Sequence, residues 1–343
     1  MSDKKHCIAV TLGDPAGIGP ELVARLLACQ DTVSKAQFVV VADRWLWQEG
    51  QRVAGTSHQL PEVESFAEVR LSDGPVLLPV ETVARDDITY AQVGEAGGAS
   101  VLKVLTQCMD AAQAGHIDAI CFAPLNKLSM KQAGLTQEDE LHFFADYLKV
   151  DDDVCEFNTL GYLWTSRISS HVPLKDAADY VTKERINNAT RLIYESLQAA
   201  GVKAPRIAVA ALNPHAGEGG TCGREEIDII APAIEECASN GYPAQGPFPA
   251  DTIFIRARDG EFDGVVTMYH DQGQIAIKLL GFKSGVTVQG GLPIPITTPA
   301  HGTAFDIAGL GKADDGAMRH AFDIACRMGA AHFVRHQGDK LED

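Results

Sequence analysis

Short apolar runs that each end in polar or glycine-rich residues recur along this chain, with helical apolar spacing between them. Ile8–Leu12 runs into Gly13-Asp-Pro-Ala-Gly-Ile-Gly-Pro-Glu21, Gln37–Ala42 into Asp43, and Ile117–Pro124 into Leu125-Asn-Lys127. Arg206–Leu212 runs into Asn213-Pro-His-Ala-Gly-Glu-Gly-Gly220, and Phe262–Thr267 into Met268-Tyr-His-Asp-Gln-Gly-Gln-Ile-Ala-Ile-Lys278. Strand and helix in alternation imply a parallel α/β sheet with helices on both faces. Such sheets keep ligands in the crevice beyond the carboxyl ends of the strands, so the polar ends of these runs are where chemistry is expected.

With 343 residues the chain exceeds one ordinary core, and two domains of roughly 150 residues each are expected. Apolar residues at 45% against 22% charged exclude wholesale disorder. The net charge of −17 argues against nucleic acid or an anionic membrane as main partner. A small anionic substrate stays open, because local cations or a metal override the global field. Met1-Ser-Asp-Lys-Lys-His-Cys7 lacks the apolar core of a signal peptide, and nowhere do about 18 apolar residues run together. Eight scattered cysteines without a Cys-x-x-Cys pair suit a reducing cytoplasm, which is the expected location.

Helices are expected at Pro20–Cys29, at Gly97–Ala114 from the spacing of Val101, Val104, Leu105 and Met109, and at about 140–148, 174–200, 224–239, 303–311 and 316–330. Leu160–Ile168 is an apolar stretch entering Ser169-Ser-His171, and Gly285–Gln289 reads as strand or loop. Residues 50–95 are punctuated by Gly and Pro and suggest no chemistry. The Gly13–Glu21 turn has Gly-x-x-x-Gly-x-Gly spacing with two prolines, unlike a dinucleotide fingerprint. It reads as a tight strand-to-helix connection.

Of eleven histidines, His171, His215 and His270 each stand just after an apolar run. Loops gathered at one sheet edge can build an open metal site with three protein ligands and a vacant position for substrate. Spacings of 44 and 55 residues carry no metal signature, so a tri-histidine site and three unrelated loop residues both stay open.

Asn213-Pro-His-Ala-Gly-Glu-Gly219, Gly246-Pro-Phe-Pro-Ala-Asp251, Met268-Tyr-His-Asp-Gln-Gly273, His301-Gly-Thr-Ala304 and Gly13–Glu21 together closely resemble the 4-hydroxythreonine-4-phosphate dehydrogenase family of vitamin B6 biosynthesis and its catabolic relatives. The resemblance runs in order from about residue 8 to 330. It implies a homodimer of two-domain α/β/α subunits related to isopropylmalate and isocitrate dehydrogenases, with the active site in the interdomain cleft. The first domain is then expected at 1–128 plus 305–343, and the second, carrying the metal ligands and dimer interface, at 129–304. The resemblance further implies one divalent metal on His171, His215 and His270, the last reaching the other subunit's site. Zinc is the expected ion, with manganese, cobalt, magnesium or nickel as alternatives. His301–Asp314 looks like the adenosine-binding loop of the isopropylmalate dehydrogenase group, so His301, Gly302, Ala304, Asp306, Ala308, Gly309 and Asp314 are expected to hold NAD or NADP. Read without the resemblance, the same run is a Gly-rich loop before a helix.

The chain departs from the family where phosphate is bound. Asp139-Glu-Leu-His142 stands in place of Gly-His-Thr-Glu, so Glu140 and Leu141 replace the phosphate-holding His and Thr, while the Asn and Arg anchors fall at Thr287 and Ile296. Lys278 is the anion-holding residue left. Phosphate usually gathers cations or backbone amides, so the expectation is a non-phosphorylated carboxylate such as terephthalate 1,2-cis-dihydrodiol lined by Glu140, Leu141, Thr287 and Ile296. The alternatives are 4-phosphohydroxythreonine itself, a four-carbon sugar-acid phosphate, or a non-catalytic binding homologue. The expected reaction is NAD- and metal-dependent oxidation of an alcohol β to a carboxylate, followed by decarboxylation. Asp251 and Asp271 would orient ligands or accept the proton, unless they cap helices, and Lys278 would anchor the carboxylate.

Overall fold

The computed structural model describes residues 5–70, 72, 74–281 and 284–339. Its strands are β1 (Cys7–Thr11), β2 (Gln37–Ala42), β3 (Val76–Pro79), β4 (Ala119–Phe122), β5 (Cys155–Leu160), β6 (Leu163–Arg167), β7 (Ile207–Ala210), β8 (Ala244–Phe248), β9 (Gly264–Thr267), β10 (Gly285–Gly290) and β11 (Ile296–Pro299). They fall into two compact units, Met1–Asp151 with Leu292–Asp343, and Asp152–Gly291. Residues 129–151 and 292–304, expected in the second domain, thus belong to the first unit. Helix Lys127–Gln132 packs on helix Glu95–Gln113, as does helix Glu140–Leu148, and β11 pairs with β4.

The first unit orders its strands β3-β2-β1-β4-β11, all parallel. β1, β2 and β4 are buried along their whole length, as β-rich apolar strands covered on both faces must be. Helix Gly19–Leu27 starts with Pro20 in its first turn, where the missing N–H costs nothing. Its buried Glu21 pairs with Arg25 at 2.9 Å and accepts from the Ala313 amide at 3.0 Å, tying the returning chain to this helix. Helix Glu95–Gln113 buries Val101, Val104, Leu105 and Met109, the face its spacing predicts.

The second unit orders its strands β10-β5-β6-β9-β7-β8. β6, β9, β7 and β8 are parallel, but β10/β5 and β5/β6 are antiparallel. The stretch from Leu160 to Ile168 therefore holds a reversal rather than one strand. Gly161, at φ 60°, turns the chain between β5 and β6 in a two-residue hairpin loop.

Other expectations shift for local reasons. The helix expected at 174–200 is a 3-10 segment Leu174–Tyr180 followed by helix Lys183–Ala199, which Thr182 caps by accepting from the Arg185 amide at 3.3 Å. At 303–311 only the 3-10 turn Phe305–Ile307 forms, since Ala304, Gly309 and Gly311 have left-handed φ of 45°, 75° and 70°. Within 50–95 the structure adds β3, and it adds β11 and helix Ala250–Arg258 beyond the expected elements. Among the described residues no helix is long and apolar enough to cross a membrane.

A Cβ on Gly98 would stand 2.0 Å from the Ser129 carbonyl oxygen, so the two helices meet through this glycine. Alanine normally favours a helix over glycine by up to about 1 kcal/mol, but overpacking costs about 1–3 kcal/mol. Gly98→Ala is therefore expected to lower stability in urea unfolding; an unchanged or raised midpoint would show that the helices can part without cost.

Candidate active site

Three adjacent parallel strands of the second unit open at one sheet edge. β6 and β9 are in register with Arg167 opposite Thr267, and β9 and β7 with Val266 opposite Val209. The chain then delivers His171 after β6, His270 after β9 and His215 after β7. The His171 and His270 rings lie 6.1 Å apart between centroids. Among the described residues, the ligand atoms of all three histidines do not lie within 4.8 Å of one another in the single chain. The structure thus brings two of them side by side and the third to the same edge.

The strand ends are stitched together. Ser169 Oγ donates to the Met268 carbonyl at 2.9 Å, linking the ends of β6 and β9. Gln272 accepts from the Met268 amide and donates to the Ala211 carbonyl, both at 2.8 Å, linking β9 to β7. Asp271 Oδ1 lies 2.7 Å from His270 Nδ1, an arrangement that leaves Nε2 for a ligand and fixes the ring. The capping reading of Asp271 therefore gives way to a partner for His270. Asp251 stands exposed in the first turn of helix Ala250–Arg258 and does not cap it, since Pro249 holds the cap position. Lys278 is exposed in the last turn of helix His270–Gly281.

The His215 loop is an unusual backbone. His215, Ala216, Gly217, Glu218 and Gly219 have φ of 54°, 53°, 78°, 43° and 65°, a left-handed run that non-glycine residues rarely adopt. It is held by Glu226, a buried carboxylate. One oxygen accepts from the Leu212 and Asn213 amides at 2.9 and 2.7 Å, and the other from Asn213 Nδ2 at 2.9 Å. Burial pushes the Glu226 carboxyl up, but the hydrogen bonds from Asn213 and Leu212 outweigh it and hold the group below the usual glutamate range. The sequence pattern marks 224–239 as helical and shows no role for this carboxylate, its one signal being the glutamate pair directly after a glycine-rich loop.

The residues expected to line the substrate fare unevenly. Ile296 is fully buried on β11, opposite Ile120 in the apolar core of the first unit, so it presents nothing to a substrate and that assignment is corrected. Leu141 is buried as well. Glu140 lies 3.7 Å from the Lys127 ammonium. Thr287, on β10, receives a 3.3 Å hydrogen bond from Asn158 Nδ2. Asn158 in turn accepts from Arg167 Nη1 at 2.9 Å, while Arg167 Nη2 and Nε reach Glu156 at 2.9 Å and Ser170 at 2.8 Å. Arg167, buried four residues before His171, was not anticipated from the sequence.

In the first unit, His301–Asp314 forms an open loop. Nothing lies within 4 Å of where a Cβ on Gly302 would stand, and His301 Nδ1 lies 3.0 Å from the Gly302 carbonyl oxygen. Asp306 is exposed, Ala308 half-buried, and Asp314 accepts from the Gly316 amide at 2.9 Å at the start of the last helix. The Ile18 amide donates to the Thr303 carbonyl at 3.1 Å, so the Gly13–Glu21 turn, expected to be a plain connection, packs against this loop.

The family model described as "Pyridoxal phosphate biosynthetic protein PdxA" matches residues 34–325. The chain belongs to the PdxA family. A provisionally named 4-hydroxythreonine-4-phosphate dehydrogenase 2 of Pseudomonas aeruginosa is 50% identical over 94% of this chain and 96% of its own length. A provisionally named D-threonate 4-phosphate dehydrogenase of Oceanobacillus iheyensis is 34% identical over 95% and 98%. The solved 4-hydroxythreonine-4-phosphate dehydrogenase of Burkholderia phymatum superposes with TM-score 0.81 at 33% identity, covering 94% of this chain and 98% of that one. Terephthalate 1,2-cis-dihydrodiol dehydrogenase of Burkholderia xenovorans LB400 is less alike, with TM-score 0.66 at 26% identity over 91% and 94%. This PdxA-family protein is an oxidoreductase acting on CH–OH groups. The terephthalate dihydrodiol is not supported, and the phosphorylated acids expected as alternatives are closer.

Removing Glu226 leaves backbone donors at the root of the His215 loop unpaired, at about 1–3 kcal/mol for each orphaned group. Glu226→Ala is expected to destabilise the fold and to weaken divalent-metal binding measured by calorimetry. Because the folded-state carboxyl is depressed, its contribution is present above the ordinary glutamate range and lost as pH falls through and below it. Glu226→Gln should flatten that part of the acid-unfolding profile; an identical profile in wild type and variant would contradict the clamp.

Proposed function

We propose that the protein is an NAD-dependent, divalent-metal-dependent dehydrogenase that oxidises the secondary alcohol β to the carboxylate of a four-carbon hydroxy acid 4-phosphate, of the 4-hydroxythreonine or D-threonate kind. The resulting β-keto acid then loses carbon dioxide. The observation that carries the reading is that three adjacent parallel strands bring His171, His270 and His215 to one edge, where His171 and His215 of one copy could meet His270 of another. The names of the relatives supply the substrate class.

Imidazoles of this kind suit zinc and several other first-row divalent ions, and Asp271 behind His270 is the usual support for a ligating histidine. The open backbone at Gly302 suits close approach of a dinucleotide. A divalent ion held by His171, His215 and His270 would supply positive charge for an alcohol oxygen and the charge that develops after it, and a nicotinamide held by the His301–Asp314 loop would supply a hydride acceptor. In the balanced reaction the alcohol carbon gives up hydride and the hydroxyl its proton; the bond to the carboxylate then breaks, and the remaining carbon takes a proton. Asp251 is the candidate to orient a ligand or take the hydroxyl proton. Lys278 offers an exposed ammonium for a carboxylate or phosphate.

The protein works as a dimer in this reading, with His270 serving the site of a second copy. Helix His270–Gly281 leaves Ile275, Leu279 and Leu280 at 58%, 82% and 36% exposure, apolar surface that a second copy would cover. The net charge of −17 argues against nucleic acid or an anionic membrane as the main partner.

The test is NADH formation by metal-loaded protein with 4-phosphohydroxythreonine and threonate 4-phosphate, beside their dephosphorylated forms. Turnover is expected with a phosphorylated acid. His171→Ala and His270→Ala are each expected to lose bound metal by elemental analysis and to lower kcat/KM by about 100-fold or more. A protein that binds neither metal nor NAD, or that turns over the dephosphorylated acids alone, would sink the proposal.

A further inference from the structure

Asp14 follows β1 where that strand has β2 on one side and β4 on the other, the switch point at which open sheets take ligands. Its amide donates to the Pro124 carbonyl at 3.0 Å, which fixes the residue. The side chain is 1% exposed; Oδ1 accepts from the Ala16 amide at 2.8 Å, and Oδ2 is buried without a hydrogen-bond partner. Asp14 and Gly97 line a pocket together with Asp87, Ile88, Thr89 and Gln92. A Cβ on Gly97 would stand 3.5 Å from Asp14 Oδ1 and 3.7 Å from Ile88 Cδ1, so a longer side chain there would fill the pocket.

The start of helix Glu95–Gln113 faces the same pocket. Gly94 gives it no side-chain cap, and the amides of its first turn have no acceptor within the helix. The pocket therefore pairs one buried acceptor with a group of donors. An anion suits the helix start but not Asp14, and a cation suits Asp14 but not the helix start. A primary carboxamide suits both, its N–H donating to Oδ2 and its carbonyl accepting from a helix amide. Burial raises the Asp14 carboxyl above the usual aspartate range, and the Ala16 amide and the Ser129 hydroxyl lower it by less.

The pocket adjoins the His301–Asp314 loop. The Ala91 amide donates to the Ala16 carbonyl at 3.0 Å, Ile18 bonds Thr303, and the Tyr90 ring lies 3.1 Å from where a Cβ on Gly309 would stand. We propose that Asp14 and the start of helix Glu95–Gln113 hold the carboxamide of the nicotinamide cofactor and select it over analogues without an amide N–H. The inference rests on the cofactor reading above.

The experiment measures dissociation constants of the full-length protein, by calorimetry, for NAD, for its acetylpyridine analogue with a methyl ketone in place of the amide, and for ADP-ribose. The wild type is expected to prefer NAD over the analogue by about tenfold or more. Asp14→Asn keeps the size of the side chain but can turn a donor toward the ligand, so the preference is expected to fall toward one while ADP-ribose binding is unchanged. Gly97→Leu, a good helix former that fills the pocket, is expected to weaken NAD and spare ADP-ribose. A wild type that binds ADP-ribose but does not prefer NAD overturns this inference alone, as does Asp14→Asn with the wild-type preference. Failure to bind either NAD or ADP-ribose overturns the cofactor reading with it.

Discussion

Parallel pairing lets the chain leave a sheet in one direction only, and the site depends on that constraint. Because β6, β9 and β7 run the same way and lie side by side, the loops behind them emerge at a common edge although they are far apart in sequence. The same constraint creates a debt of unpaired backbone groups where each strand stops. Ser169, Gln272 and Glu226 satisfy them, each by bonding the backbone at the end of a strand. The side chains that complete the strands' hydrogen bonding are thus the ones that fix the positions of the histidines.

The His215 loop shows what this fixing opposes. Three non-glycine residues, His215, Ala216 and Glu218, take left-handed φ, each at a cost of about 1–2 kcal/mol. A loop under that strain persists only if its surroundings over-determine it. Glu226 offers three hydrogen bonds at its root, and charge-assisted bonds to a carboxylate are among the stronger kinds. The cost of burying the charge is offset because each oxygen has donors.

Most of the architecture was legible because apolar runs and helical spacing report burial directly. β1, β2, β4, β7 and β9, and the face of helix Glu95–Gln113, follow from that pattern, and so does the position of each histidine just past a strand. What stayed hidden depends on pairing rather than composition. Nothing in Leu160–Ile168 distinguishes one strand from a hairpin except Gly161, whose positive φ becomes meaningful only once β5 and β6 are paired. The helix expected at 303–311 had suitable residues, but Ala304, Gly309 and Gly311 turn left-handed. Asp14, Arg167 and Glu226 were invisible as a group, since a buried polar side chain is recognisable only from the partners it finds, or lacks, across the fold.

The anion-holding side chains show the same limit from the chemical side. Alignment by spacing put a lost arginine at Ile296, yet that position faces the apolar core through its pairing with Ile120, so the substitution says little about phosphate. Arg167 is the buried guanidinium near His171, but its Nε, Nη1 and Nη2 already donate to Ser170, Asn158 and Glu156. Its role is to order β5 and β6 rather than to receive a ligand. Lys127 and Lys278 differ: the first is half exposed with Glu140 at 3.7 Å, and the second is exposed at a helix end. An ammonium is a point charge on a flexible stem that needs no fork geometry. In the proposed reading, a lysine could therefore hold an anion in place of a His, Thr or Arg without any change in the strands.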